Sequence, residues 1–87
     1  MSPWSIYMLR CTDGTLYTGI TKDVQTRIEK HNDGTGAKYT RARRPVALVW
    51  SARASTESAA RKREAKIKGW TRAQKERLLK KRRSRPA

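Results

Sequence analysis

The sequence predicts a small α+β domain: a three-stranded, mostly antiparallel sheet flanked by helices, in the order β-β-α-β-α-α. Two short apolar runs flank Asp13-Gly14, a strong hairpin turn signal, and a third run follows Pro45. Capping signals and helical periodicity follow the second and third runs. With 87 residues the chain makes one domain and leaves no room for a deep cavity. We expect residues 1–80 to form it and residues 81–87 to be a flexible basic tail.

A β-hairpin opens the chain. Residues 4–10 and 15–20 are rich in apolar or β-branched side chains, and the Asp13-Gly14 turn joins them. Because side chains alternate along a strand, the first strand presents two different faces. One face carries Trp4, Ile6 and Met8, and the other carries Tyr7 and Leu9.

Two tyrosines on this hairpin are the first candidates for chemistry. Tyr7 and Tyr17 lie on neighbouring predicted strands, where they can share one face. Two adjacent phenols are unusual in a plain core, since each buried hydroxyl needs a polar partner. Gly19, within or at the end of the second strand, indicates a bulge or a close backbone approach.

The first helix is predicted to run from a cap at Thr21 or Asp23 to about residue 32, where glycines follow. Arg27 and His31 lie one turn apart on its half-apolar face. Arg27 either presents its guanidinium to a phosphate or lays its stem on the core. His31 is a proton carrier, a phosphate donor or, by default for an isolated histidine, a cap at the helix end.

The second half of the chain supplies the third strand and two further helices. Gly69 separates the two helices, and Thr71 and Gln74 have the spacing of a capping box. The predicted elements are an irregular basic loop at 37–45, a strand at 46–52, a helix from Ser55 or Thr56 to Lys68, and a helix from Thr71 to about residue 83.

Charge is distributed unevenly along the chain. Residues 1–40 carry five basic and four acidic side chains, whereas residues 41–87 carry seventeen and three, for a formal net charge of +15 overall. A polyanion is the natural partner, and nucleic acid leads because arginine is interleaved with lysine and with Trp50 and Trp70. The alternative is a solvated basic face with no specific partner. A membrane surface is disfavoured, because no helix pairs its basic face with a broad apolar stripe.

Cysteine content and hydropathy favour a soluble cytoplasmic protein. The single cysteine, Cys11, allows no internal disulfide and is interpreted as a small buried hydrophobe. No stretch is apolar enough for a transmembrane helix or for a signal peptide. No long apolar heptad predicts an obligate dimer, so we expect a monomer.

One carboxylate lies on the apolar, inward face of the second predicted helix, between residues 55 and 68. Ala60, Glu64 and Ile67 recur at helical spacing, so Glu64 has apolar neighbours on both sides. Mg²⁺ uses one or two carboxylates and fills its shell with water and substrate phosphate oxygens. Glu64 is therefore a candidate metal ligand; the alternative is an ion pair with Lys68, one turn further on.

The remaining acidic and metal-binding residues exclude more elaborate metal chemistry. Asp13, Asp23 and Asp33 occupy turn or capping positions, where local backbone hydrogen bonding accounts for them. A two-metal nuclease needs several convergent carboxylates, which the pattern does not supply. A single histidine and a single cysteine also exclude a zinc cage.

Taken in order, these residues resemble the GIY-YIG nuclease family. The resemblance covers about residues 3–80 and is carried by Ser5-Ile6-Tyr7, Leu16-Tyr17-Thr18-Gly19-Ile20-Thr21, Arg27 and Glu64. The first motif has serine where the family name has glycine, and the second has threonine in place of isoleucine. The chain looks most like the small stand-alone bacterial YhbQ-like subgroup, which is one GIY-YIG domain with a basic tail.

The resemblance implies the GIY-YIG fold and a role for each matching residue. Glu64 would hold a single divalent ion, Mg²⁺ or Mn²⁺, at the scissile phosphate. Tyr17 would activate or position the attacking water, and Tyr7 would support it by hydrogen bonding. Arg27 would neutralise charge on the phosphate, and Gly19 would let backbone and substrate approach closely.

The leading hypothesis is therefore a metal-dependent endonuclease that acts on DNA, on branched or damaged structures in repair or recombination. His31 matches a position where relatives carry tyrosine or histidine, which implies a base or a phosphate contact. The alternative is a nucleic-acid-binding module, for DNA or RNA, with little or no hydrolysis. No small-molecule cofactor is expected. The predicted nucleic-acid contacts are Lys38, Tyr39, Arg41, Arg43, Arg44, Arg61 and Lys68.

Overall fold

The computed structural model of the chain describes residues 4–83. It contains one sheet with helices packed on it, which confirms the predicted α+β class. Within the described residues no helix is both long and apolar enough to cross a membrane. In chain order the elements are β1 (Ser5–Arg10), β2 (Leu16–Thr21), α1 (Val24–Asp33), α2 (Lys38–Arg41), β3 (Ala47–Arg53), α3 (Glu57–Lys68) and α4 (Arg72–Arg83).

The sheet is antiparallel throughout, in the spatial order β2-β1-β3. Strand β1 is central, and the hairpin register places Tyr7 opposite Gly19 and Leu9 opposite Tyr17. Directly opposed residues share a face of the sheet, so Tyr7 and Tyr17 lie on the same face, as the alternation predicted. The register between β1 and β3 shifts at Met8/Leu9.

The two faces of the sheet carry separate clusters. On the first face, helices α3 and α4 cover the even-numbered residues of β1, in a purely apolar cluster. On the second face, Ile28 of α1 packs against Tyr7 and Leu9, together with Cys11, which is buried as expected. The first cluster consists of Ile6, Met8, Trp50, Ala60, Ile67 and Leu79.

The helices begin where the capping signals predicted. The Asp23 carboxylate accepts from the Thr26 amide at 3.1 Å and opens α1. Thr56 caps α3 in the same way, and Thr71 exchanges two hydrogen bonds with Gln74 at the start of α4.

Helix α1 ends at Gly34, whose φ of 92° lies in the left-handed region. The side-chain amide of Asn32 then binds the residue just before β3. Its Nδ2 donates to the Val46 carbonyl, and its Oδ1 accepts from the Val46 backbone amide. These contacts set the position of α1 on the second face.

The segment 37–45 differs from the irregular loop that the sequence predicted, because it contains the one-turn helix α2. Such a short helix has no stability of its own and needs tertiary contacts. Thr40 supplies them, since it is completely buried and bonds to His31 of α1. At the other end of the chain, α4 continues to Arg83, and the last part of the predicted tail, residues 84–87, lies outside the described residues.

Candidate active site

Tyr7 lies at the centre of the sheet, with 1% of its surface exposed. Its ring crosses the neighbouring strand at Gly19, where an added Cβ would come within 2.5 Å of the phenol oxygen. Gly19 is therefore required for the close approach of the Tyr7 ring. The close approach expected at Gly19 is thus made by a side chain of the protein itself, which occupies this space.

The Tyr7 hydroxyl belongs to a buried chain of polar groups. It lies 2.9 Å from His31 Nε2, and Nδ1 of the same imidazole lies 2.7 Å from Thr40 Oγ1. Arg27 Nε, from α1, donates to the phenol oxygen at 3.4 Å. His31, expected by default to cap its helix, instead has its ring completely buried between Tyr7 and Thr40.

The two titratable rings in this series of buried polar groups, Tyr7 and His31, are held in their neutral forms. Burial raises the pKa of Tyr7, and the hydrogen bond from Arg27 opposes that effect without cancelling it. Burial also lowers the pKa of His31, and the positive charge of Arg27 lowers it further. At neutral pH the pair is therefore a phenol next to a neutral imidazole.

Tyr17 is the side chain that connects the two halves of the site. It is half-buried on β2, and its ring centroid lies 6.4 Å from that of Tyr7 and 5.2 Å from that of His31. The Tyr39 ring stacks on it at 5.7 Å, and Lys68 Nζ lies 5.8 Å from its centroid. Tyr17 therefore contacts α1, α2 and α3 together.

Glu64 reaches this region from α3, which packs against β2 and β1. Its neighbours Ala60 and Ile67 are fully buried, as the helical spacing predicted, and its own side chain is 19% exposed. Glu64 Oε2 forms an ion pair with Lys68 at 3.2 Å. The carboxylate also makes a small contribution to the raised pKa of Tyr7, so its negative charge acts on that phenol.

The donor set matches a cation that needs few protein ligands. Among residues 4–83 no group of three or more histidine, cysteine, aspartate or glutamate side chains converges. A single, largely buried carboxylate suits Mg²⁺, which keeps most of its waters and binds substrate phosphate oxygens. The ion pair with Lys68 uses Oε2, so a bound cation would have to share or displace that contact.

The three aspartates hold local structure, as their positions predicted. Asp13 bonds to Thr15, Asp23 caps α1, and Asp33 bonds to Thr35. These hydrogen bonds lower the pKa of each carboxyl group. The aspartates are therefore occupied outside the tyrosine cluster.

The predicted nucleic-acid contacts fall into two groups. Lys38 and Arg41 are exposed, and Tyr39 is 38% exposed while stacked on Tyr17. The others already have partners within the fold. Arg43 bonds to Asp13 and lies over the Tyr39 ring at 4.1 Å, Arg44 bonds to the carbonyls of Arg41 and Asn32, Arg61 pairs with Glu57, and Lys68 pairs with Glu64.

Two residues of the site could not be predicted from the sequence. Thr40 lies in the segment interpreted as a loop, nine positions after its partner His31, a spacing that no secondary-structure period relates. At Gly36 an added Cβ would lie 2.6 Å from His31 Nδ1, so this glycine admits the imidazole. Gly36 was interpreted only as a signal for the end of a helix.

Comparison with known proteins gives a consistent family assignment. The profile of the GIY-YIG catalytic domain matches residues 3–77. A UPF0213 protein of Staphylococcus aureus is 56% identical over 77 residues, which cover 88% of this chain and 94% of that protein.

Two solution NMR structures are also similar. The UPF0213 protein BH0048 from Bacillus halodurans has a TM-score of 0.59 at 43% identity, covering 88% of this chain and 82% of that one. The protein EF2693 from E. faecalis has a TM-score of 0.63 at 44% identity, covering 95% and 88%. The chain therefore belongs to the GIY-YIG catalytic domain family, as its ordered motif residues indicated.

Proposed function

We propose that the protein is a metal-dependent endonuclease that hydrolyses DNA phosphodiester bonds with a single divalent ion. Family membership supports a nucleic acid substrate. The observation that carries the proposal is the position of Tyr17, whose ring contacts both the Tyr7–His31 pair and Lys68, the ion-pair partner of Glu64. We infer that the phenols, the Arg27 guanidinium and the Glu64 carboxylate act on one bound phosphate.

Each side chain has a role that follows from its surroundings. Arg27 approaches Tyr7 through Nε, so its terminal nitrogens are available to neutralise charge on a phosphate. The half-buried Tyr17 activates or positions the attacking water. The buried Tyr7 supports that water by hydrogen bonding. Glu64 would hold Mg²⁺ or Mn²⁺, which supplies Lewis-acid stabilisation of the phosphate and of the leaving oxygen.

The charge distribution supports a polyanionic substrate. The chain has a formal charge of +15, and the exposed basic side chains Lys38 and Arg41 flank Tyr39 on α2. Tyr39 offers an exposed aromatic edge beside them. We propose DNA rather than RNA as the substrate, with branched or damaged DNA in repair or recombination as the setting and the cytoplasm as the location.

A second candidate function is a nucleic-acid-binding module with little or no hydrolysis. The ion pair between Glu64 and Lys68 favours it, because a carboxylate that already has a lysine partner is less available to a metal. In this case the basic side chains track phosphates and the tyrosines have a structural role.

The test is cleavage of nicked, forked and single-stranded DNA in Mg²⁺ or Mn²⁺. Glu64→Ala and Tyr17→Phe should abolish or strongly reduce cleavage. Glu57→Ala is the matched control, since Glu57 lies on the same helix and pairs with Arg61 at the same i,i+4 spacing. Absence of cleavage by the parent protein, with salt-sensitive binding that Glu64→Ala leaves unchanged, would favour the binding module.

A further inference from the structure

We propose that Thr40 is a positioning residue that sets the tautomer of His31. In this arrangement His31 Nδ1–H donates to Thr40 Oγ1, and Nε2 accepts the phenol proton of Tyr7. Within the described part of the chain the Thr40 hydroxyl bonds to His31 and Ala37 but not to Tyr7 or Arg27, so its hydrogen bond reaches the site through the imidazole. The catalytic consequence of this arrangement rests on the proposed nuclease function, whereas the tautomer does not.

The argument starts from the single proton of the Thr40 hydroxyl. Thr40 Oγ1 lies 3.0 Å from the Ala37 carbonyl oxygen and 2.7 Å from His31 Nδ1. A carbonyl oxygen only accepts, so the hydroxyl proton satisfies that contact when it points to Ala37. The Thr40 oxygen then accepts, and the proton in the short contact must come from His31 Nδ1.

The same count of protons applies to the next hydrogen bonds, at His31 and Tyr7. A neutral imidazole carries one N–H, so protonation at Nδ1 leaves Nε2 as an acceptor. The phenol proton of Tyr7 fills the 2.9 Å contact with Nε2, and the phenol oxygen accepts from Arg27 Nε. Each contact from Arg27 through Tyr7, His31 and Thr40 to the Ala37 carbonyl then holds one proton.

The opposite tautomer satisfies fewer groups. With the proton on Nε2, the Thr40 hydroxyl and the Ala37 amide, 3.4 Å from Nδ1, would both donate to one lone pair. Thr40 Oγ1 would then face the Ala37 carbonyl oxygen at 3.0 Å with no proton between them. The phenol proton of the buried Tyr7 would also lose its acceptor. The cost of the favoured tautomer is smaller: the Ala37 amide loses one acceptor, in a contact of 3.4 Å at the long end of the hydrogen-bond range.

This direction of the hydrogen bonds decides what the Tyr7 hydroxyl can offer to a further partner. Its proton points to His31 and its oxygen accepts from Arg27, so towards any other group the phenol oxygen can only accept. Under the proposed nuclease function that group is the attacking water, which Tyr7 would support by accepting its hydrogen bond. The opposite tautomer would leave the phenol proton to donate instead.

Nitrogen-15 NMR of the full chain tests the tautomer directly. The chain has a single histidine, so both ring-nitrogen signals belong to His31 and only Nδ1 and Nε2 have to be distinguished, by their couplings to the ring C–H protons. At neutral pH we expect Nδ1 to be the protonated nitrogen, by a ratio of at least roughly tenfold. A protonated Nε2 in the parent protein would overturn the proposal.

Variants at Thr40 test whether its hydroxyl sets the tautomer of His31. Thr40→Val removes the hydroxyl at nearly constant shape and should lower the Nδ1–H to Nε2–H ratio about tenfold, whereas Thr40→Ser should restore it. Thr18→Val is the matched control, because Thr18 is also buried but its hydroxyl has no hydrogen-bond partner among the described residues. An unchanged ratio in Thr40→Val would overturn the proposal; if that variant does not fold, a changed ratio in Thr40→Ser would do so.

Cleavage assays then connect the tautomer to catalysis. If the nuclease function holds, Thr40→Val should lower kcat about tenfold with KM unchanged, and Thr40→Ser should recover most of the loss. A parent protein that cleaves no DNA but shows the Nδ1–H tautomer would refute the nuclease and leave the positioning role of Thr40 intact. An unaltered kcat in Thr40→Val would refute the catalytic consequence.

Discussion

The two faces of the sheet use the same strand for opposite purposes. Ile6 and Met8 face an apolar cluster closed by α3 and α4, whereas Tyr7, between them in the chain, faces a buried series of polar groups. Each face contains a buried threonine: Thr18 has no hydrogen-bond partner within the described part of the chain, and Thr40 has two. The first face therefore consists of apolar packing, whereas the second buries a hydrogen-bonded series of polar groups as well.

The largest effect on stability is expected on the apolar face. Ile67→Ala should lower the free energy of unfolding by about 2–5 kcal/mol, because it leaves a cavity beneath α3. That is a large share of the roughly 5–15 kcal/mol available to a small domain. Urea unfolding followed by circular dichroism measures it. Leu48→Ala, at a position 42% exposed, should cost less than about 0.5 kcal/mol. Equal losses of unfolding free energy in the two variants would contradict the stabilising role of the apolar face.

A glycine substitution should damage the polar face next most strongly. Gly19→Ala places a methyl group 2.5 Å from the Tyr7 hydroxyl and should displace the phenol, at a cost of about 1–3 kcal/mol. Gly69→Ala is the control, since its Cβ would meet its nearest neighbour at an ordinary 3.6 Å. The midpoint temperature of thermal unfolding and the cleavage rate should both fall for Gly19→Ala but not for Gly69→Ala. A stable Gly19→Ala protein with an intact hydrogen bond from Tyr7 to His31 would contradict this prediction, because the strands would then have moved apart to accommodate the methyl group.

Removal of one hydroxyl should have a smaller effect on the fold. Tyr7→Phe leaves His31 Nε2 buried without its partner and should cost about 1–2 kcal/mol. Tyr39→Phe removes a phenol hydroxyl from a partly exposed ring and should change stability little. Denaturant titration of both variants gives the comparison. Equal stabilities would mean that the buried series of polar groups contributes nothing net to folding.

The smallest effect is a pH dependence that the apolar face does not have. The unfolded chain protonates its histidine near pH 6.5, whereas burial and Arg27 keep the folded ring neutral to lower pH. Stability conferred by neutral His31 is therefore complete above pH 6.5 and declines as pH falls towards the folded pKa, by at most about 1.4 kcal/mol per pH unit.

Unfolding free energies at pH 7, 6 and 5 measure this slope, and His31→Gln should flatten it. The carboxyl groups with lowered pKa values titrate at lower pH, so they do not obscure this window. They belong to Asp13, Asp23, Asp33 and Glu76. A slope that persists unchanged in His31→Gln would contradict the assignment.

Local signals predicted most of the fold because the physics behind them is local. Asp13-Gly14, the Asp23 and Thr56 caps and the Thr71–Gln74 capping box each act over four residues or fewer, and each appears as expected. Strand alternation likewise separated Tyr7 from Ile6 and Met8 correctly. Helix α2 was not predicted, because a single turn depends on its anchor at His31 rather than on its own propensity.

The sequence by itself determined every element except α2, the single inward carboxylate, the basic half and the ordered motif residues, since spacing and composition express these directly. Only the tertiary structure decided which groups meet: Tyr7 with His31 and Thr40, Gly19 with the Tyr7 ring, and Lys68 with both Glu64 and Tyr17. These partners are far apart in the chain or lie on different elements. Their pairing depends on how helices dock against a sheet face, and no local period encodes that.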